Sequence, residues 1–191
     1  MNRGKYPFII ILIIVAAILL GFAYDGIMTA VEKNTYKQGY SEYVTSYAAN
    51  FGVPEYVVYA VIKIESNFKP DALSRAGAAG LMQLTEETFN DVTGQYMLNE
   101  NLPYSQVYDP ETNIRYGTYY LSYLYKQFGN WDVAFAAYNG GIGNVKNWLK
   151  DKDYSDDGET LKNYPSNFSE TKNYVRLVNK AKNTYIKLYY S

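Results

Sequence analysis

One glutamate, Glu65, lies where its carboxyl group could act as an acid. It follows Ile62 by three residues and Val61 by four, which places it on the apolar stripe of a predicted helix. Burial disfavours the charged form of a carboxyl group, so we expect a raised pKa and a protonated group near neutral pH, as a general acid requires. On spacing alone, a glutamate that turns to solvent or pairs with Lys63 or Lys69 is the alternative.

Further residues with suitable chemistry lie near residue 80 and in two later segments. They are Ser74, Gly80, Met82, Gln83, Tyr138, Asn139 and Tyr174. Each has an ordinary structural explanation: a loop serine, a small residue that lets a second backbone approach, a core methionine, a helix end or a core tyrosine. Taken singly, each of these residues is explained by structure, so none of them predicts a function by itself.

The composition excludes several kinds of site. The 191 residues include no Cys and no His, so thiolate or imidazole metal sites, disulfides and serine–histidine triads are ruled out. Catalysis must use carboxylates, hydroxyls, amides, Lys or Arg, and we expect neither a metal nor another cofactor. The 18 basic and 19 acidic side chains form no block of one sign, so no nucleic-acid partner is expected.

Apolar periodicity, capping residues and Gly and Pro positions predict a mostly helical domain. Irregular segments are expected at about residues 67–79, 94–108 and 151–167. The predicted helices run from about Ser41 to Asn50, from Pro54 to Glu65, onward from Thr85, from Asp109 to near Gly129, from Asp132 to Tyr138, from Asn144 to Lys150, and onward from Ser169, with Leu188 on the same face of the last as Tyr174.

The N-terminal segment suits a membrane. The nineteen residues from Tyr6 to Tyr24 carry no charge, which is about the length that crosses a bilayer as a helix. Arg3 and Lys5 should stay cytoplasmic, and the two tyrosines lie where interfacial aromatics are common. We therefore predict a signal anchor at residues 1–24, a polar spacer or helical stalk at 25–39, and an exported domain at 40–191.

Cleavage after export is the alternative to a retained anchor. Gly21 and Ala23 are small residues at the two positions that a signal peptidase inspects, so cleavage near Ala23 would give a secreted protein. The apolar run is longer than the hydrophobic region of a usual signal peptide, which favours the anchor, and a chain without cysteine cannot be a lipoprotein. The exported part carries 16 basic and 19 acidic residues, so the anchor rather than net charge would supply its location.

Five ordered segments together resemble the catalytic domain of the soluble lytic transglycosylases, the transglycosylase SLT family. The resemblance covers about Tyr40 to Tyr185, and five matches in order are far more specific than any one. The matching segments are Glu65-Ser66-Asn67-Phe68 with Pro70, Ser74-Arg75-Ala76-Gly77-Ala78-Ala79-Gly80-Leu81-Met82-Gln83-Leu84, Asp109-Pro110-Glu111-Thr112-Asn113-Ile114, Ala136-Ala137-Tyr138-Asn139-Gly140-Gly141 and Glu170-Thr171-Lys172-Asn173-Tyr174-Val175.

The resemblance implies a fold and a reaction. The fold is the mainly helical, goose-type lysozyme-like fold of the α+β lysozyme superfamily, with a saccharide groove across one face. The family cleaves the β-1,4 bond between N-acetylmuramic acid and N-acetylglucosamine in peptidoglycan without water. By resemblance, Glu65 protonates the glycosidic oxygen and then takes the proton of the muramyl C6 hydroxyl, which leaves a 1,6-anhydro sugar.

The resemblance also implies roles for the residues near position 80. Ser74 would bind near the N-acetyl group of the substrate. Met82 and Gln83 would line the floor of the groove, and Gly80 would give room there. All of these roles come from the motif and not from spacing.

The later motifs imply the remaining contacts. Tyr138 and Asn139 would position the sugar and the acid, and the Tyr174 hydroxyl would reach the Glu65 carboxyl. The chain has Asn139-Gly140-Gly141 where the family often has Asn-Ala-Gly, and Ile142 where it often has Pro. These departures loosen one turn and touch no catalytic assignment.

Two other functions stay open. A hydrolytic muramidase on the same fold would need a second carboxylate facing Glu65, for which Asp71, Glu86, Glu87 and Asp91 are candidates. A non-catalytic peptidoglycan-binding or scaffold protein is the other, against which the intact motif set argues. The expected partners are peptidoglycan glycan strands and, through the N-terminal helix, the bacterial cell membrane; an envelope-spanning machinery is a further candidate, and we expect a monomer.

Overall fold

The computed structural model describes residues 6–96, 100 and 102–191, which divide into two units. The first unit ends at Lys37 and the second spans Gln38–Ser191. Arg3 and Lys5, which we predict to be cytoplasmic, lie outside the described residues, as does the side chain of Tyr6.

The first unit is one long helix, α1 (Tyr6–Thr35). At 1.5 Å per residue its 30 residues span about 45 Å, which exceeds the roughly 30 Å of a bilayer core. Its length and composition suit a membrane span or an N-terminal signal sequence. The helix continues past Asp25 to Thr35, so most of the segment predicted at residues 25–39 as a polar spacer or a helical stalk is helical.

The described part of the second unit is built from helices, with no strand longer than an isolated bridge. Short 3-10 turns at Tyr104–Tyr108 and Ser166–Phe168 and π turns at Val92–Tyr96 and Ile186–Tyr190 connect or extend the helices. The helices are α2 (Ser41–Phe51), α3 (Glu55–Glu65), α4 (Glu86–Asp91), α5 (Pro110–Phe128), α6 (Trp131–Gly140), α7 (Ile142–Lys150) and α8 (Ser169–Tyr185).

Most helix ends follow the predicted capping residues. Gly52 ends α2 and Gly129 ends α5, both in the left-handed conformation that glycine adopts without strain. The Thr85 hydroxyl accepts a hydrogen bond from the Thr88 amide at the start of α4, and Asp109 caps α5 in the same way. These predictions are confirmed.

Helices α6 and α7 differ from their predicted bounds. The side chain of Asn130 accepts hydrogen bonds from the Asp132 and Val133 amides, so α6 begins at Trp131. The helix ends at Gly140 with Gly141 as its C-terminal cap, two residues beyond the predicted last residue Tyr138 and within the predicted break at 139–141. The helix α7, which we expected to begin at Asn144, begins two residues earlier.

The core lies between α3, α5, α6 and α8. Val57 to Ile62 of α3 are buried, and Tyr59 stacks on Tyr185 of α8 with ring centroids 5.4 Å apart. The middle of α6, from Val133 to Ala137, is also buried. Leu188 lies beyond α8, in the π turn that extends it, and is half-buried. The packing fixes the end of α3, and with it Glu65, against α8.

Candidate active site

A cavity of about 810 Å³ lies at the end of α3. Its walls come from α3, the loop before α4, the end of α6 and the start of α8. Five of the predicted site residues line it: Glu65, Ser74, Gln83, Tyr138 and Asn139. Residues far apart in the sequence therefore surround one space.

Glu65 is the last residue of α3, and its carboxyl group reaches the cavity wall. Burial raises the pKa of Glu65 from 4.5 to about 7. The phenol of Tyr174 acts in the opposite direction, and the negative charge of Glu170 adds to the rise. The prediction of a raised pKa is confirmed, so the protonated form of Glu65 persists to near neutral pH.

Tyr174 approaches Glu65 from α8 and is not part of the cavity wall. Its side chain is buried, and its hydroxyl makes no hydrogen bond of standard geometry to the described residues. The hydroxyl is still close enough to Glu65 to favour the ionised carboxyl and lower its pKa. Because burial and the Glu65 charge raise the pKa of Tyr174 far above 10, this phenol keeps its proton.

Tyr138 is the second phenol beside Glu65. Its hydroxyl donates a hydrogen bond of 2.7 Å to the backbone carbonyl of Met82. Burial, with the negative charge of Glu65 as a smaller cause, raises the pKa of Tyr138 well above 10. A phenol has one proton to donate, so the Tyr138 oxygen can only accept from any other neighbour.

Met82 does not line the floor of the groove, contrary to the prediction. Its side chain is fully buried and packs against Gly117 of α5, where an added Cβ would lie only 2.8 Å from the Met82 Cβ. Met82 instead meets the site through its backbone, whose carbonyl accepts the hydrogen bond from Tyr138. The absence of a side chain at Gly117 is what admits Met82 at this position.

Gly80 gives room inside the fold and not to a ligand, which corrects the prediction for that residue. Its φ of +81° lies in the left-handed region that favours glycine. An added Cβ would overlap the side-chain nitrogen of Asn113 and the carbonyl oxygen of Val107. Gly80 is buried and lies behind the cavity wall.

Asn113 is a positioning residue that the sequence reasoning missed. It is fully buried in α5, and its Oδ1 accepts a 2.7 Å hydrogen bond from the Met82 amide. Its Nδ2 donates to the carbonyls of Val107, at 2.8 Å, and Ala79, at 3.2 Å. The sequence feature that could have identified it is a side-chain amide one turn into a predicted helix, directly before the apolar Ile114.

Gln83 and Ser74 line the cavity from the loop before α4. Gln83 has a left-handed φ of 50°, and its side-chain nitrogen donates to the carbonyls of Ala72 and Gly80, at 3.0 and 2.9 Å. The Ser74 hydroxyl accepts a 3.0 Å hydrogen bond from the Ala78 amide. Both side chains therefore stabilise their own loop as well as bordering the cavity.

The opposite wall comes from the end of α6 and the start of α8. Asn139 accepts a 2.7 Å hydrogen bond from the Thr171 hydroxyl, and both residues line the cavity with Glu170. The sequence indicated no role in the site for Thr171 or Glu170, although both stand in the motif that contains Tyr174.

Glu170 is the second carboxylate on the cavity wall. None of the four residues that we named as candidates for that position is on the described wall: Asp71, Glu86, Glu87 and Asp91. Glu170 is exposed, and its charge contributes to the raised pKa of Glu65. The pair is thus unequal, with one carboxyl held in a desolvated position and the other in contact with solvent.

Comparison with known families identifies residues 42–161 as matching the transglycosylase SLT domain. The chain is 36% identical over 141 residues to the soluble lytic murein transglycosylase of Escherichia coli, which covers 73% of this chain and 22% of that protein. It is 33% identical over 124 residues to the membrane-bound lytic murein transglycosylase C of Photorhabdus laumondii, which covers 60% of this chain and 34% of that protein. The chain thus spans about a fifth to a third of these relatives.

Solved structures agree in fold. The 70 kDa soluble lytic transglycosylase of Escherichia coli superposes with a TM-score of 0.71 and 31% identity, over 82% of this chain and 25% of that one. An inactive mutant of the lytic transglycosylase Slt of Pseudomonas aeruginosa, with Gln in place of a Glu, superposes with a TM-score of 0.65 and 31% identity. The match covers 80% of this chain and 24% of that one. The prediction of a mainly helical, lysozyme-like fold is confirmed.

Proposed function

Because this chain belongs to the transglycosylase SLT domain family, we propose that it cleaves the β-1,4 bond between N-acetylmuramic acid and N-acetylglucosamine in peptidoglycan without water. The observation that carries the proposal is a single desolvated carboxyl, Glu65, with a pKa of about 7 on the wall of an 810 Å³ cavity. A relative that is inactive with Gln in place of one Glu supports an essential carboxyl.

The two proposed steps use Glu65 first as acid and then as base. The protonated carboxyl donates to the glycosidic oxygen while the bond from that oxygen to C1 of the muramyl sugar breaks. The resulting carboxylate takes the proton of the C6 hydroxyl, whose oxygen forms a bond to C1. Glu65 ends protonated, no water is consumed, and the product is a 1,6-anhydro end. A group with a pKa near the working pH serves both steps well.

The phenols of Tyr138 and Tyr174 suit the protonated and the ionised state of Glu65. The Tyr138 hydroxyl donates its hydrogen bond to the Met82 carbonyl, so the Tyr138 oxygen can accept a hydrogen bond from a protonated Glu65. Tyr174 has a buried hydroxyl without another partner of standard geometry in the described structure, so it can donate to the carboxylate. We propose that Tyr138 supports the acid and Tyr174 the base.

Hydrolysis by a muramidase is the second candidate, and Glu170 is the observation that favours it. A retaining glycosidase places its two carboxyl groups about 5–5.5 Å apart and an inverting one about 6.5–9.5 Å apart. Glu170 lines the same cavity as Glu65, so it could act as nucleophile or hold a water. Its exposure and its place at the start of α8 argue for an electrostatic role instead.

We expect the products of peptidoglycan digestion to separate these functions. The full chain in detergent, incubated with purified peptidoglycan, should release muropeptides with 1,6-anhydro ends, since the C6 oxygen and not water attacks C1. Mass spectrometry should find them lighter by one water than hydrolysis products and resistant to borohydride reduction. Reducible ends would instead establish a muramidase, and no release at all would favour a binding protein.

The proposed setting is the outer face of the bacterial cell membrane. Helix α1 would anchor the chain with one crossing and place the domain from about residue 40 onward outside; the boundaries at residues 24 and 39 stay predictions. A relative named as membrane-bound supports this location. Secretion after cleavage near Ala23 stays the alternative.

The activity should fall as the pH rises through about 7. The first step needs the protonated form of Glu65, and a carboxyl with that pKa loses its proton over this range. Tyr174→Phe removes the group that lowers the pKa of Glu65, so the descending limb of kcat/KM against pH should move to higher pH.

The control for this profile is Tyr47→Phe. Tyr47 donates a 2.6 Å hydrogen bond to Glu111 and does not line the cavity, so its replacement should leave the midpoint in place. A midpoint that is the same in Tyr174→Phe and wild type would contradict the assigned role of Tyr174.

A further inference from the structure

Arg75 is the one positively charged side chain on the described wall of the cavity. It is exposed, and it takes part in no ion pair or hydrogen bond within the described structure. Most long cationic side chains on a protein surface either pair locally or extend into solvent away from any site. Arg75 instead borders the same cavity as Glu65, and its charge is not paired with any carboxylate of the described residues.

The backbone that presents Arg75 is held firmly. In the turn from Ser74 to Gly77, the Gly77 amide donates to the Ser74 carbonyl at 3.1 Å, and the Ser74 amide donates to the Ala78 carbonyl at 2.8 Å. Gly77 has a left-handed φ of +83°, and its carbonyl oxygen lies 2.9 Å from the hydroxyl of Tyr104. Arg75 is thus a corner residue of a braced turn, with a fixed backbone and a side chain available for a ligand.

The charges on the cavity wall make an unpaired arginine informative. The other charged groups there are carboxyls, Glu65 and Glu170, so an anionic ligand would be repelled on that side. A muramyl residue is anionic: its lactyl group carries a carboxylate when free, and carboxylates of the attached peptide when substituted. Arginine presents a planar fork of donors that matches a carboxylate in two parallel hydrogen bonds.

We propose that Arg75 binds a carboxylate on the lactyl or peptide substituent of the muramyl residue and so selects the charged substrate. This inference rests on the proposed function, because it needs a muramyl residue in the cavity. It adds a determinant of substrate choice that is separate from the acid Glu65. The interaction lies in partly solvated surroundings, so its contribution should be modest and sensitive to salt.

The test compares the full chain in detergent with its Arg75→Ala and Arg75→Lys variants on three substrates. These are glycan strands with peptides that bear free carboxylates, the same strands with the peptide carboxylates amidated, and strands stripped of peptide to leave the lactyl carboxylate. On the first, Arg75→Ala should raise KM about fivefold with a smaller fall in kcat, and Arg75→Lys should raise it less. On amidated strands, the KM values of variant and wild type should agree within about twofold.

Salt and a second arginine provide the controls. Added sodium chloride should raise KM for wild type on the charged strands and have little effect on Arg75→Ala. Arg176→Ala should behave as wild type, since Arg176 is exposed on α8, bonds to Asn173 and is absent from the cavity wall.

The stripped strands identify the source of the carboxylate. The lactyl carboxyl forms an amide on peptide-bearing strands, so an effect on those strands alone supports a peptide carboxylate, whereas a fivefold effect on the stripped strands supports the free lactyl carboxylate. A KM of Arg75→Ala that equals wild type on both the peptide-bearing and the stripped strands, or that rises equally on amidated strands, overturns the proposal while leaving the proposed function intact. Absence of cleavage by wild type on every substrate overturns the proposed function itself, and the role of Arg75 with it.

Discussion

Glu65→Gln is expected to abolish cleavage of peptidoglycan. The amide has nearly the shape of the carboxyl group but can neither donate an acidic proton to the glycosidic oxygen nor accept one from the C6 hydroxyl. General acid or base catalysis contributes about 10²–10⁴-fold in rate, and this residue serves in both steps. Release of muropeptides by the full chain in detergent, followed by chromatography and mass spectrometry, should fall at least about 10³-fold.

The same variant should be more stable than wild type above pH 7, which separates lost chemistry from lost folding. The pKa of Glu65 is 4.5 in an unfolded chain and about 7 in the folded one. Between these values the folded state holds a proton that the unfolded state lacks, so wild-type stability falls as the pH rises. Glutamine does not ionise and escapes this loss. A melting curve at pH 8 therefore provides the folding control.

Glu170→Gln is the matched control for activity. Glu170 lines the same cavity but is exposed, so its replacement should leave at least about a tenth of the wild-type turnover if Glu65 alone transfers protons. Complete loss in both variants would support a two-carboxylate hydrolase. Turnover near wild type in Glu65→Gln would contradict the assignment of the acid.

Local patterns were sufficient to predict the position and environment of Glu65. Helical spacing places it on the apolar stripe of α3, and in the structure Glu65 is half-buried beside α8 with a carboxyl pKa raised mainly by desolvation. The caps Thr85 and Asp109 were predictable for a related reason, since a capping side chain and the amide that it binds lie within three residues of each other. Interactions that close within one or two turns of helix can be read from the sequence.

The roles of Met82 and Gly80 depend on distant partners and could not be read in this way. Whether Met82 meets the cavity through its side chain or its carbonyl is decided by Gly117, 35 positions later, and by Tyr138. The room at Gly80 is filled by Asn113, which no helical period relates to it. The motif identified the right segment, but the direction of each side chain follows from tertiary packing.

The second large effect is expected for Asn113→Ala, which should destabilise the domain by about 3–5 kcal/mol. The substitution removes three hydrogen bonds in a fully buried place and leaves the Met82 amide and the Val107 carbonyl without this partner, while the Ala79 carbonyl keeps the hydrogen bond from the Leu84 amide. Unsatisfied buried groups of this kind cost about 1–3 kcal/mol each, less whatever relaxation recovers. Urea unfolding of the full chain in detergent, followed by tryptophan fluorescence, measures the change.

Asn113→Ala should also lower activity at temperatures where the domain stays folded. Asn113 holds the Met82 amide, and the Met82 carbonyl holds the hydroxyl of Tyr138, so the phenol beside Glu65 loses its fixed direction. Asn144→Ala is the control, since that side chain is exposed and donates one hydrogen bond to the Gly140 carbonyl. The free energy of unfolding of the Asn144→Ala variant should differ from wild type by no more than about 0.5 kcal/mol. Equal effects of the two substitutions would contradict the positioning role, because of these two asparagines only Asn113 bonds to the segment that orients Tyr138.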